Sequence, residues 1–247
     1  MSSANASSAK VFTPRFNPAK PAFGVLVFLL YLFLLAPLLI VFVVSFASNQ
    51  YLSFPPEGIT LKWYEMLPQE STFMEGMKVS LIVAVIVTLI VLALGVPAAL
   101  ALDRFEFKAK AAVQSFFLSP LLIPSIVLAL GMVLLFGPLE LNNTYAGIII
   151  GHVAITIPFV IRTTLMSLAT TDTSCEAAAR ILGADSWTVF RRVTLPIIQP
   201  GVIAGGIFAF IVSFDQFPIS LFLVMPGSET LPVVLFNYMK FDLDGAI

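Results

Sequence analysis

The sequence predicts an all-α protein, a polytopic membrane helix bundle, and three observations carry that expectation. Hydrophobic residues make up 59% of the 247-residue chain, charged residues only 11%, and the mean hydropathy is +1.00. An ordinary soluble domain carries about 25% charged residues, so this chain has too little polar surface to enclose a water-soluble core. Five apolar runs are each as long as a bilayer-crossing helix, and the charged residues gather between them.

Residues 1–22, rich in Ser, Ala, Asn and Pro with Lys10, Arg15 and Lys20, read as a flexible basic tail. The first span, Phe23 to Phe46, is too long for the apolar core of a signal peptide, and no clear small-residue cleavage site follows it. Pro37 kinks or loosens it. Residues 47–76 form a polar connection dominated by Glu57, Glu65, Glu70 and Glu75. Within it Leu61 to Leu67 suits a short interfacial helix, with Trp63 and Tyr64 at headgroup level. The second span covers about Met77 to Leu102, and Asp103, Arg104, Glu106, Lys108 and Lys110 make the charged loop after it. The third runs from about Ala112 to Phe136 and carries Pro120 and Pro124; a polar turn, Glu140 to Thr144, leads to the fourth, about Tyr145 to Leu168, which carries Pro158. These prolines are either simple kinks relieved by neighbouring helices or weak points of a bundle that moves. The fifth span is about Gly201 to Met225, its Gly201-x-x-x-Gly205 spacing suiting a close helix contact, and Pro226 to Ile247 reads as a loop.

Orientation follows from the cations. With the N-terminus in the cytoplasm, nine of them (Lys10, Arg15, Lys20, Arg104, Lys108, Lys110, Arg180, Arg191, Arg192) lie inside and three (Lys62, Lys78, Lys240) outside. Arg162, near the cytoplasmic end of its span, can snorkel. The segment 171–196 therefore falls on the cytoplasmic side. Thr173 followed by Glu176 has the form of a capping box, and Glu176 and Arg180 are an i,i+4 pair. Ala177, Ala178, Ile181 and Leu182 share one face of the helix so begun, and Gly183 sits where a C-cap needs a left-handed residue. Asp185 or Ser186 can cap a second short helix with Trp187, Phe190 and Val193 on its apolar side; Pro196 and Pro200 break the chain before the next span. Such a hairpin is either a plain connection between two spans or a docking element for a cytoplasmic partner.

At this point a resemblance enters. Glu176-Ala177-Ala178, three residues, Gly183, and then Val193 ahead of Leu195-Pro196 resemble the EAA loop of permease subunits of bacterial ABC importers, with Val193 where the family more often has Ile. The likeness extends from about Met77 to the end and, more loosely, over the first span. It implies the type I ABC importer permease fold, and it implies that Glu176, Ala177, Ala178, Gly183, Leu195 and Pro196 couple the chain to a separate ATPase, with Glu176 pairing a basic ATPase residue. It further implies two cytoplasmic ATP-binding subunits, a sister permease or second copy, an extracytoplasmic solute-binding protein and a bacterial inner (plasma) membrane location. Relatives of this kind have six spans, so a sixth is expected to be missing at the C-terminus. Ser213-Phe214-Asp215, Ser220 to Leu223 and Thr230-Leu231-Pro232 are similar to the spermidine/putrescine-type branch, which implies a polyamine or similar small solute.

Asp215 lies within an apolar span, where a lone acid costs about 2.5–3.5 kcal/mol on insertion scales. It either caps a half-helix at the Pro218 break or pairs with Arg162 or His152, or else it lines the pathway and attracts a cationic solute, with Phe214 and Phe217 as cation–π neighbours. Aromatics in such spans more often simply pack. His152, the sole histidine, has no His, Cys or carboxylate at ligand spacing, so a packing or hydrogen-bonding role outweighs metal binding. Cys175 is the sole cysteine, which excludes an internal disulfide. No phosphate-binding Gly-x-x-x-x-Gly-Lys-Ser/Thr loop, Ser/His/Asp constellation, cofactor motif or nucleic-acid-binding basic run is present, so no catalytic residue is assigned. The rival readings are a secondary transporter driven by an ion gradient, which calls for more buried ionisable groups and an internal repeat, and a non-transporting membrane scaffold.

Overall fold

The computed structural model describes residues 19–49, 55–225 and 227–241. They are helical, and the chain divides into two compact units after Trp63. Residues 1–18 of the expected tail lie outside the described residues. In the first unit α1 (Ala19–Val44) runs unbroken through Pro37. Its side chains from Phe23 onward are largely exposed, as befits a helix clothed by lipid or another protein. After it Ala47 pairs with Ile59 across a short antiparallel bridge, and the Trp63 indole donates to the Ala47 carbonyl at 2.9 Å. The short helix expected over Leu61 to Leu67 is present as α2 (Lys62–Met66), followed by a 3₁₀ turn over Leu67–Gln69.

The second unit is built on α3 (Ser71–Arg104), α6 (Tyr145–Ala169) and α9 (Leu195–Phe214), which pack on one another. At 34 residues α3 is about 50 Å long, longer at both ends than the expected span. Its inward face repeats every fourth residue through Val79, Val83, Val87 and Val91, then turns to Gly95 and Ala99, so that bulk fills one half and close contact the other. Fully buried Val160 of α6 is the meeting point. A Cβ on Gly95 would lie 2.9 Å from its Cγ1, and one on Gly205 of α9 would lie 3.0 Å from its Cα. One turn along, a Cβ on Gly201 would sit 2.6 Å from the Thr163 carbonyl oxygen. The Gly201–Gly205 spacing thus serves the close backbone contact that it suggested.

Two expectations about the apolar runs need correction, and the break expected at Pro218 falls just before it. The third run is two helices: α4 (Lys110–Leu118), continued by a 3₁₀ turn over Ser119–Leu122, and α5 (Ser125–Phe136), the two limbs bent by 109° at Ile123–Pro124. Pro124 forces Ile123 into an extended conformation (φ −99°, ψ 131°), so no straight helix can pass. The fifth run breaks after Phe214, and α10 (Phe217–Leu223) starts afresh with Pro218 in its first turn, where a missing N–H costs nothing. The segment after it is not all loop: α11 (Leu231–Phe241) carries Pro232 in its first turn, buries Val233 and Val234, and receives support from Ser80, whose Oγ accepts from the Leu231 N–H at 2.9 Å. Among the described residues four helices are long and apolar enough to cross a membrane, five if the bent pair counts as one span.

The glycine contacts make a stability prediction. Gly205→Val forces a branched side chain against the Val160 backbone and should cost about 1–3 kcal/mol, seen as a lower midpoint in a thermal melt of detergent-solubilised protein. Gly131→Ala, where a Cβ meets nothing within 4 Å, should leave the melt unchanged.

Candidate functional site

The hairpin comes first. Helix α7 (Ser174–Ile181) ends in a full left-handed cap: Gly183 has φ +87°, its N–H bonds the Arg180 carbonyl at 3.0 Å, and the Ala184 N–H reaches back to the Ala179 carbonyl at 3.1 Å. A Cβ at Gly183 would meet nothing within 4 Å, so the backbone conformation alone asks for glycine there. Asp185, not Ser186, caps α8 (Ser186–Val189): its carboxylate accepts from the Trp187 N–H at 3.2 Å and from the Thr188 hydroxyl. That hydroxyl, and then the backbone N–H groups, hold the Asp185 carboxyl below the usual range. A π turn over Phe190–Thr194 then joins α8 to α9 without a gap, and the Leu195 N–H bonds the Phe190 carbonyl. The expected break at Pro196 and Pro200 is therefore absent. Pro196 sits in the first turn of α9, and the apolar helix runs from Ser186 to Phe214.

The capping box does not form either. Thr173 makes no cap bond, and the Asp172 carboxylate accepts from the Ser174 N–H at 2.9 Å instead. Glu176 is otherwise engaged. Its Oε1 accepts from Arg104 Nη2 at 2.6 Å and from the Thr194 hydroxyl at 2.9 Å, and the residue is buried. This corrects one expectation: Glu176 does not pair with Arg180, which is exposed. It is turned inward because a cation at the end of α3 lies within reach. Arg104 and Thr194 were not singled out by the sequence, since no local spacing links positions 104, 176 and 194. Beside this junction is an open cleft of ≈ 560 Å³ between the end of α3 (Leu100, Arg104, Phe105) and α7 (Ala177, Arg180). The outer face is apolar: Ala177 and Ala178 are exposed, as are Ile181 (86%), Leu182 (87%) and Trp187 (65%). Leu195 is half-buried against the core and Pro196 is exposed, both at the foot of α9 rather than in a loop.

The second region is the break between α9 and α10. Asp215 is exposed at the C-terminal end of α9, where its N–H bonds the Ile211 carbonyl. That is the end of a helix at which a negative charge is disfavoured, and no ion pair to Asp215 is present among the described residues. The expected pairing with Arg162 or His152 does not occur. His152 is fully buried, and both ring nitrogens are taken: Nδ1 lies 3.0 Å from Ser213 Oγ and Nε2 lies 3.1 Å from Ser220 Oγ. One imidazole thus ties α6 to both sides of the break. Gln216 is buried in the break itself, and its side-chain NH₂ has no partner. Phe214 stacks on Phe210 at 6.0 Å and Phe217 packs on Phe236 at 4.8 Å, each ring half-buried. Among the described residues no three His, Cys, Asp or Glu side chains gather as a metal site.

Removing the imidazole strands two buried hydroxyls. His152→Ala should cost about 1–3 kcal/mol and expose the break between Phe214 and Phe217 to faster limited proteolysis, whereas an unchanged digestion pattern would show that the serines hold the break without it.

Three comparisons bear on this arrangement. Residues 92–244 match the family described as "binding-protein-dependent transport system inner membrane component". The spermidine/putrescine transport system permease protein PotC of Escherichia coli is 30% identical over 211 residues, 85% of this chain and 80% of that protein. The putrescine transport system permease protein PotI of the same organism is 30% identical over 230 residues, 90% of this chain and 82% of the relative. Among solved structures, a bacterial ABC transporter involved in the import of the acidic polysaccharide alginate shares the fold with a TM-score of 0.70 at 20% identity, covering 93% of this chain and 84% of its own. The family match spans the charged end of α3, the hairpin, the break and α11, all the features described above, and the chain belongs to the family of inner membrane components of binding-protein-dependent transport systems.

Proposed function

We propose that this chain is the transmembrane permease subunit of an ATP-driven ABC importer, forming the solute pathway and taking its driving force from a separate ATPase through the 176–196 hairpin. One observation carries the reading: the exposed apolar face of Ala177, Ala178, Ile181, Leu182 and Trp187 on an otherwise polar segment. A contiguous apolar surface outside lipid is characteristic of a protein-docking site. The small residues let a partner approach the backbone, and Gly183 sets the angle between the two short helices. The charge distribution supports a cytoplasmic N-terminus, which puts the hairpin on the side where ATP is found. The assembly in this reading has two ATP-binding subunits, a sister permease or second copy, and an extracytoplasmic solute-binding protein. The chain itself carries out no catalysis.

The solute in this reading is a polyamine. The names of the two relatives, which are permeases for spermidine/putrescine and for putrescine, support it. Asp215 supports it independently, because an unpaired exposed carboxylate at a helix break in a membrane span is suited to a cation and would repel an acidic solute. Phe214 and Phe217 flank it, and the open part of each ring can face an ammonium group.

Reconstitution of the chain with its ATPase and binding protein in proteoliposomes tests this reading, with ATP-dependent uptake of labelled spermidine as the signal. Uptake driven by an imposed ion gradient without ATP would reject it. Asp215→Asn should raise the KM for spermidine about tenfold, or about 1.4 kcal/mol, and an unchanged KM would remove Asp215 from the pathway. Gly183→Val imposes about 1–3 kcal/mol of backbone strain on the hairpin. It should lower uptake several-fold at unchanged membrane abundance, as read by quantitative blotting.

A further inference from the structure

We propose that Arg104 is the residue through which the hairpin moves the bundle: its ion pair with Glu176, shared by Thr194, is a strut from α7 to the ends of α3 and α9. This rests on the reading of the hairpin as the docking element of the ATPase. Arg104 is a positioning residue, since it lies inside the junction and not on the exposed face.

The geometry joins α7 to α3 and to the foot of α9 at one point. Arg104 Nη2 at 2.6 Å and Thr194 Oγ1 at 2.9 Å converge on one oxygen, Glu176 Oε1, so α7 cannot shift without pulling on both. The side chains of Arg104 and Glu176 are 28% and 11% exposed, which keeps solvent screening weak and the charge-assisted bond short. Each charge also stands at a helix end that favours it, Arg104 in the last turn of α3 and Glu176 in the first turn of α7, so both side chains are held in place before they meet. Around the pair the hairpin is not packed along α3. α7 packs on α8 and the π turn, and the ≈ 560 Å³ cleft, lined from the end of α3, α7, α8 and the π turn, opens beside the ion pair. Force applied to the face carrying Ala178 and Leu182 therefore reaches α3 through Arg104, and reaches α9 through Thr194 as well as through the continuous helix from α8. The π turn that holds Thr194 is a type of irregularity often found where a helix changes shape in function.

The test uses the complete transporter of permease, ATPase and solute-binding protein in proteoliposomes, with spermidine uptake and ATP hydrolysis read from the same vesicles. Arg104→Gln should lower the spermidine moved per ATP hydrolysed by about tenfold, within the usual range for coupling between sites. Hydrolysis, and the amount of ATPase retained on purified permease, should stay within about twofold of the unsubstituted transporter. The exchange Arg104→Glu with Glu176→Arg should recover at least about half of the lost ratio, because it restores the pair that either single change breaks. An unchanged ratio in Arg104→Gln, or an exchange no better than the single variants, overturns the proposal. If Arg104→Gln loses uptake, hydrolysis and bound ATPase together, Thr194→Val decides. It keeps both charges and the shape, and it must lower the ratio for the strut to stand; an unchanged ratio overturns it. Ala178→Trp separates the strut from the reading beneath it. If that variant leaves the ratio intact, the docking face is elsewhere; if it uncouples while Arg104→Gln does not, only the strut fails.

Discussion

The close approach of α6 to α3 and α9 is the constraint on which the rest of the bundle depends. In lipid there is no hydrophobic drive to bring helices together, because the solvent is as apolar as the side chains; packing and hydrogen bonds between helices must suffice. The chain meets that condition by placing Gly95, Gly201 and Gly205 where Val160 and Thr163 need room. Val160 is wholly buried as a result, and Thr156, Thr164 and His152 lie on the same buried side of α6. A block locked at this distance does not deform by degrees, since close-packed interiors have few voids to take up movement. Both candidate sites are attached to it by polar ties, Arg104 and Thr194 holding Glu176 at one place and His152 holding Ser213 and Ser220 at another.

Irregular backbone is costly in a membrane, and its location here is informative. Three departures from α-helix interrupt the chain: the turn around Pro120 and Pro124 in an apolar segment, the π turn at Phe190–Thr194, which carries Arg191 and Arg192, and the break at Asp215–Gln216 in an apolar segment. Backbone groups freed in lipid must find partners within the protein. At the third break the Asp215 N–H keeps its bond to the Ile211 carbonyl. The imidazole of His152 braces the two flanking serines. An interruption braced by a buried imidazole, yet leaving the carboxylate of Asp215 exposed and without an ion pair among the described residues, is suited to a pathway.

What the sequence made legible, and what it hid, divides by range. Local chemistry could be read directly. The left-handed cap at Gly183, the Asp185 cap and the shared face of Ala177, Ala178, Ile181 and Leu182 follow from spacing within a few residues. Composition was enough for the class, because 11% charge leaves no other solvent for so much apolar surface. The partner of Glu176 could not be read, because Arg104 is 72 residues away and competes successfully with the nearby Arg180 and the Thr173 cap. Hydropathy also hid the breaks: it is blind to backbone direction, so a run such as 112–136 looks continuous although Pro124 turns it by 109°. The helix α11 went unread for the opposite reason, its 11 residues being too short to register as a span.

The two irregularities that bound α9 also explain how one element can serve both sites. Between the π turn and the Asp215 break lie the 20 residues of Leu195–Phe214, about 30 Å of helix. Over that length Ile198, Gly205, Gly206, Ala209 and Ser213 are buried, so the helix is seated on its neighbours along one side. A rod seated in this way moves as a unit, and its freedom is concentrated at the ends where regular hydrogen bonding lapses. At one end Thr194 shares Glu176 with Arg104; at the other, Ser213 shares His152 with Ser220. A displacement of the hairpin that tilts α9 against α3 must therefore change the angle at Asp215, because the helix between them has no break to absorb it. The interior proline, Pro200, does not weaken this, since it lies in the second turn near the π end and the helix continues through it. In the proposed reading, the order of features along the chain, from docking face to strut, rod and break, is what a mechanical link between an energy source and a cation-selective pathway requires.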